Sequence, residues 1–188
     1  MNGNSDKLVP YIYTASMLIC QRIGQPPSVY AVYEFVYKLL QRLDLDADDV
    51  PTVMYATLEL WYRMTHHSTL RVDVWKLAIC VVLNLAGKLL VDDWYSDSNG
   101  VLCALVDMNL QTFNTCEASV CAHLDYNLSL SSSGCAAFEV IVQDAVLETS
   151  LAQPFTQLPV QSLPSSLNQA SHPPSHPDPA LECRLTAT

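Results

Sequence analysis

Hydrophobic residues recur along this chain at the three- and four-residue spacing of helices, in stretches separated by short polar turns. Between residues 28 and 43, one apolar stripe follows Ser28, a residue type that commonly caps a helix. Equivalent patterns predict helices at 8–23, from 51 to about 66, and at 74–91, 100–107, 109–124 and 132–148. Because the chain has only 5 Gly for tight turns, the pattern favours an all-α fold over an all-β fold.

The stretch 74–91 is apolar on every side, which is typical of a helix surrounded by other helices. We therefore expect a five-helix bundle with this helix buried at its centre, plus flanking helices at the N- and C-terminal ends. Asp73 precedes the stretch and is the expected cap of its helix. The predicted organisation is an N-terminal helical extension at 1–27, the bundle at 28–150 and a tail at 151–188.

The tail contains seven of the 11 prolines and few residues that can form a core, so its composition predicts disorder. It has one PxxP step, from Pro174 to Pro177, which is a widespread pattern. We expect no second domain in this part of the chain.

The net charge of −10 belongs to the second half of the sequence. Residues 1–88 contain eight acids and eight bases, whereas 89–188 contain eleven acids and only one base, Arg184. A long stretch without Lys or Arg cannot neutralise phosphates, which argues against a nucleic acid or an anionic membrane as the partner. A basic protein surface fits this charge better as a partner, and the alternative is that the acidity serves only to keep the chain soluble.

The cysteines indicate a reducing compartment. There are seven of them, an odd number, with no CxxC motif, and most lie in apolar helical stretches. We interpret them as free thiols of an intracellular protein that is nuclear, cytoplasmic or both. The N-terminal sequence lacks a secretory pattern, and Asn84 and Lys88 interrupt the longest apolar run, so neither a signal peptide nor a membrane span is predicted.

Two charged residues stand in otherwise apolar helices. Lys88 is the only charge between Lys76 and Asp92, and Glu117 is predicted to lie in the middle of an apolar stripe of the helix at 109–124. The other members of that stripe are Leu110, Phe113, Val120, Cys121 and Leu124. A carboxylate there must be paired within the fold or covered by another chain.

Two interpretations of this pair remain open from the sequence. Lys88 and Glu117 either form an intrachain bridge that only joins two helices, or both project onto an apolar surface and bind a partner. Charged groups ringed by apolar side chains are typical of interface hot spots.

Three segments together resemble the cyclin box: PTVMYATLELWYRM at 51–64, LNLAGKLLVDDWYSDSN at 83–99 and NTCEASVCAHLDYNLSLS at 114–131. Arg63, Lys88, Glu117 and the run Leu-Asp-Tyr at 124–126 match motif positions of that family. The interval from Lys88 to Glu117 also matches the family's spacing between its kinase-contacting Lys and Glu. The segment VDDWYSDSN is similar to the loop of the phosphate-signalling cyclins of fungi and the P/U-type cyclins of plants and protists, which have a single box.

The resemblance implies an all-α cyclin-box fold at 28–150 and a function without catalysis, the binding and activation of a cyclin-dependent kinase. Lys88 and Glu117 are then the residues that contact the kinase, near the start of its regulatory C helix. Four residues are expected to supply the surrounding apolar surface: Leu85, Leu89, Cys121 and Leu128. Cys116, Val120 and Cys121 replace the larger residues usual in the family, which implies a shallower interface.

Two other classes of function compete with this one. A metalloenzyme needs converging ligands. On an ideal helix Cys116 and His123 share a face, but Cys121 points about 140° away from Cys116, and His66 and His67 are expected to be solvated. We therefore predict no metal, cofactor or small-molecule substrate. A cyclin-fold scaffold or adaptor without a kinase is the remaining alternative, because a fold does not determine a function.

Overall fold

The computed structural model describes residues 5–23, 27–66, 74–92, 94 and 97–151. Over these residues the chain forms seven helices and no strand, which confirms the predicted all-α fold. The helices are α1 (Ser5–Cys20), α2 (Val29–Arg42), α3 (Val50–Met64), α4 (Trp75–Leu90), α5 (Ser98–Val106), α6 (Leu110–His123) and α7 (Ser132–Leu151). The predicted tail and Asp73 fall outside the described residues, apart from Leu151 at the end of α7.

Side-chain caps set the starts of two helices. The Ser28 hydroxyl accepts a hydrogen bond from the amide of Ala31 at 3.1 Å, so Ser28 caps α2 as the sequence indicates. The Asn109 carboxamide oxygen accepts one from the amide of Thr112 at 2.8 Å and caps α6 in the same way. Each cap provides one of the acceptors that the first turn of a helix lacks.

Helix α1 differs from its predicted boundaries by three residues at each end. It begins at Ser5 and includes Pro10, and it ends at Cys20. The following amides of Arg22 and Ile23 donate to carbonyls three residues back, at 3.1 and 3.2 Å, so a tighter turn replaces the last helical turn expected there.

Helix α4 is the buried centre of the molecule, as its pattern predicts. Apart from Lys76, its residues from Trp75 to Gly87 are buried, and it packs against α2, α3, α5 and α6. Helix α1 also contributes to the core, since Ile12, Ala15 and Ile19 are buried where α1 meets α2, α3 and α7. The predicted N-terminal extension therefore shares the core of the bundle.

The segment that joins α6 to α7 is fixed to α3. The guanidinium of Arg63 donates to the carbonyls of Asn127 and Ser129, and the carboxylate of Glu59 accepts a hydrogen bond from the amide of Ser131 at 3.1 Å. These contacts determine the path of the chain after α6, including the position of Leu128 between the two carbonyls that Arg63 binds.

Candidate functional site

Lys88 and Glu117 form a direct ion pair between two helices. Lys88 lies in the last turn of α4 and Glu117 in the middle of α6, and the Lys88 Nζ lies 2.6 Å from the Glu117 Oε1. The two side chains differ in exposure, 40% for Lys88 and 15% for Glu117. The ion pair is therefore accessible from solvent mainly through its lysine.

Glu117 is also bound from the inside by two asparagine side chains. The Asn84 amide nitrogen donates to the Glu117 Oε1 at 2.9 Å and to the Asn99 Oδ1 at 2.7 Å. The Asn99 amide donates to the Asn114 Oδ1 at 2.6 Å and lies 3.4 Å from the Glu117 Oε2. The Trp94 indole N–H donates to the Asn84 Oδ1 at 3.0 Å, which orients the Asn84 amide toward the carboxylate. We call Asn84, Trp94, Asn99, Asn114 and Glu117 the asparagine network.

The indole ring of Trp94 lies directly against the backbone of Gly87 in α4, and this contact positions Trp94 in the network. A Cβ atom on Gly87 would overlap the six-membered ring of Trp94, so only glycine leaves room for the indole to lie against the last turns of α4. Gly87 therefore has a structural role, because the space it leaves lets the Trp94 indole reach Asn84.

The buried face of α6 is rotated relative to the predicted stripe. Its buried side chains are Phe113, Cys116 and Val120, followed by Leu124 just after the helix. Leu110 is exposed and Glu117 lies at the edge of the buried face rather than in its middle. At this edge the carboxylate can meet both the buried Asn84 and the half-exposed Lys88.

The predicted apolar surface is present only in part. Leu89, next to the ion pair, is 42% exposed, and Cys121 and Leu128 are half-buried. Leu85 differs from the prediction, because it is only 5% exposed and belongs to the core. Leu85 is not a surface residue because other helices cover α4 from Leu77 to Gly87, and after Lys76 its side chains become exposed only at Lys88 and Leu89.

Cys121 lies close to the ion pair. Burial raises the pKa of its thiol, and the charge of Glu117 raises that pKa further, while Lys88 lowers it. A thiol with a raised pKa is protonated at neutral pH and is a weak nucleophile. Its arrangement is suited to packing against a partner rather than to covalent chemistry.

An open depression of about 400 Å³ adjoins the ion pair. Lys88, Trp94, Asn99, Leu110 and Asn114 line it together with Asp92 and Asp97. Among the residues that line the depression, Lys88 is the one cation and the two aspartates are the anions.

The metal-ligand candidates of α6 lie at different depths in the fold. Cys116 is buried, Cys121 is half-buried and His123 is exposed, so the three do not converge. Within the described ranges, no three His, Cys, Asp or Glu side chains are grouped closely enough to hold a metal ion. His67 lies outside these ranges. A membrane-spanning helix is likewise not found among the described helices.

Four members of the asparagine network were not predicted as site residues from the sequence: Asn84, Trp94, Asn99 and Asn114. A signal was present at Asn84, a polar residue in a helix that is otherwise buried, because such a residue needs hydrogen-bonding partners. The identity of those partners depends on how α4, α5 and α6 pack.

No family model, curated protein or solved structure matched this chain in the comparisons made.

Proposed function

We propose that this chain is a regulatory subunit of the cyclin type, which binds a cyclin-dependent protein kinase and activates it. The proposal rests on the resemblance of three segments to the cyclin box and on one observation, the ion pair of Lys88 with Glu117 between α4 and α6. The resemblance assigns kinase contact to these two residues. Their pairing at the edge of the bundle, beside Leu89 and Cys121, is compatible with that role.

The two charges have unequal parts in the proposed interface. Glu117 accepts from Lys88, Asn84 and Asn99, so most of its acceptor capacity is used within the fold. An ammonium group has three N–H donors, and among the described residues Lys88 donates to Glu117 alone. Glu117 therefore orients Lys88, and the lysine offers its remaining donors to backbone carbonyls of the kinase.

The proposed mechanism is a shift between two kinase conformations. Leu89, Cys121 and Leu128 give the apolar contact, and Lys88 fixes the register of the kinase segment through hydrogen bonds. Binding holds the regulatory C helix of the kinase inward, which favours the active arrangement of its Lys-Glu pair and activation loop. No catalytic residue is required of this chain.

A scaffold that binds no kinase is the second candidate, and the internal bonds of Glu117 favour it. If the ion pair serves only to join α4 to α6, it stabilises the bundle without any partner. If the chain binds a kinase, a substitution of Lys88 should weaken that binding. If the ion pair only joins α4 to α6, the substitution should change the stability of the bundle alone.

The test is affinity purification of the tagged full chain, with mass spectrometry of the retained proteins. The wild-type chain should retain a protein kinase, and Lys88→Glu should reduce the retained kinase at least tenfold, since loss of a buried charged contact weakens binding by about 2 kcal/mol. Lys88→Gln, which keeps much of the side-chain stem, should also reduce it.

Lys38→Glu is the matched control, because Lys38 forms an exposed ion pair with Glu34 on α2 at 2.7 Å and undergoes the same change of charge. This variant should retain the kinase in full. If the wild-type chain retains no kinase, or if Lys88→Glu retains as much as Lys38→Glu, the proposed function is wrong. Circular dichroism on each variant establishes that loss of binding is not loss of folding.

A further inference from the structure

Four tyrosines form a continuous aromatic row on the side of the molecule where α1 meets α2. Tyr30, Tyr33 and Tyr37 follow one another along α2, with ring centroids 6.4 and 6.0 Å apart, and Tyr13 of α1 lies 6.4 Å from Tyr33. Tyr30 is 59% exposed and Tyr13 is also exposed, while Tyr33 and Tyr37 are half-buried. We call these four residues the tyrosine row.

The tyrosine row has unused hydrogen-bonding capacity. Among the described residues, none of the four hydroxyls has a hydrogen-bonding partner. Burial raises the pKa of Tyr33, and the neighbouring Tyr37 and Tyr30 raise it further, so its hydroxyl remains a donor at neutral pH. The row therefore combines partly exposed aromatic rings with hydroxyls that no described residue binds.

This combination is suited to a segment in the polyproline II conformation. Such a segment presents flat proline rings to aromatic rings, and its carbonyls lack internal hydrogen bonds and can accept from hydroxyl donors. In a polyproline II segment, residues three apart lie on the same side of the segment and are about 9 Å apart. The distance from Tyr30 to Tyr37 along the axis of α2 is similar, about 10.5 Å. Two prolines spaced three apart thus match the length of the row.

The chain itself contains such a segment. Residues 171–179 read SHPPSHPDP, and Pro174 and Pro177 have the required spacing. Nineteen residues, 152–170, separate this segment from the end of α7 at Leu151 and can extend over at most about 65 Å. A domain of this size is about 40 Å across. The segment can therefore reach the tyrosine row wherever the C-terminal end of α7 lies on the domain.

We infer that the tyrosine row is a docking site for residues 171–179 of the same chain, bound as a polyproline II segment. A peptide this short binds weakly when free, but attachment to the same chain gives it an effective concentration of the order of 1 mM. That concentration favours this occupant over a proline-rich segment of another protein, which must compete from solution. The inference is independent of the proposed kinase binding.

The experiment is photocrosslinking in the full chain, with p-benzoylphenylalanine placed at Tyr30. We expect an intramolecular crosslink, located by mass spectrometry within 171–179. The same group at Tyr126, an exposed tyrosine after α6, is the control and should give no crosslink to that segment.

Changes in the tail test the assignment without altering the helices. The combined substitution Pro174→Ala and Pro177→Ala should lower the crosslink yield from position 30 about tenfold, since most of the contact is made by the two rings. Ser175→Ala, between the two prolines, should leave the yield unchanged. A crosslink from position 30 to any other segment, a crosslinked dimer, or no crosslink at all would overturn the inference.

Discussion

At the scale of single residues, a carboxylate is held at the edge of the core by two kinds of donor. Asn84 binds Glu117 from the buried side and Lys88 binds it from the solvent side. Since an unpaired buried carboxylate is strongly destabilising, the amide and the ammonium together allow Glu117 to stand beside the apolar face of α6. Asn84 is the inner of these two supports and is fully buried.

Asn84→Ala is expected to destabilise the protein. It removes the amide that links Trp94, Asn99 and Glu117, and an unsatisfied buried polar group costs about 1–3 kcal/mol, less about 0.7 kcal/mol gained from the better helix propensity of Ala. Urea unfolding followed by circular dichroism measures the change. Asn114→Ala, at the exposed end of the same network, should cost less than about 0.5 kcal/mol. Equal effects of the two substitutions would contradict the central position of Asn84.

The candidate site could be predicted in part from the sequence. Opposite charges in two apolar helices singled out Lys88 and Glu117 but left open whether they bind each other or a partner, and the two groups form an ion pair at 2.6 Å. The burial of Leu85 and the edge position of Glu117 could not be predicted, because helical spacing gives the relative direction of side chains but not which direction faces the neighbouring helix. The partners of Asn84 come from three other elements and depend on tertiary packing.

At the scale of helices, capping residues and hydrophobic spacing were sufficient for most boundaries. Helices α2 to α6 begin and end within about two residues of the predicted positions, since Ser28, Pro51 and Asn109 act locally on the first turn. At α1 the prediction placed the start too late, at residue 8. The contacts between helices could not be predicted in this way, because they join residues that are far apart in the sequence. The junction of α3 with α7 is an example.

Tyr55 joins α3 to the start of α7 and makes this junction sensitive to alkaline pH. Its hydroxyl contacts the Glu59 carboxylate and lies 2.5 Å from the Ser131 carbonyl oxygen. Burial, the hydrogen bond to Glu59 and the charge of Glu59 raise the pKa of Tyr55 to about 12. In the unfolded chain the pKa of tyrosine is about 10.

Between pH 10 and 12 the unfolded chain loses the Tyr55 proton first, so the free energy of unfolding should fall as pH rises through this interval. A pKa difference of about two units corresponds to at most about 2–3 kcal/mol, which solvent screening at the partly hydrated hydroxyl reduces, and this contribution is fully present below pH 10. Tyr55→Phe should make the fall less steep by that amount, measured by urea unfolding at several pH values between about 9 and 12. Tyr126→Phe, at an exposed position, should leave the slope as in the wild-type chain. Parallel curves for Tyr55→Phe and the wild-type chain would contradict the assignment.

At the scale of the whole molecule, the net negative charge and the buried core residues are distributed differently along the sequence. Lys88 is the last Lys or Arg before Arg184, and eleven acids follow it, so it is the cation that directly precedes the acidic half of the chain. The buried hydrophobic residues extend from Ile12 to Val142 among the described residues. The last of these described core residues, Val142, lies in α7.

Deletion of 152–188 should therefore leave a cooperatively folding protein. A docked segment whose effective concentration is one to ten times its dissociation constant stabilises the fold by about 0.4–1.4 kcal/mol, so the melting temperature should fall by about 1–5 °C. Tyr30→Ala in the full chain should produce a fall of similar size, and in the shortened chain it should produce almost none, because both changes remove the same contact. Thermal unfolding of the four proteins by circular dichroism measures this coupling. A fall of more than about 10 °C on deletion, or additive effects of the two changes, would show that the tail stabilises the bundle through contacts other than the tyrosine row.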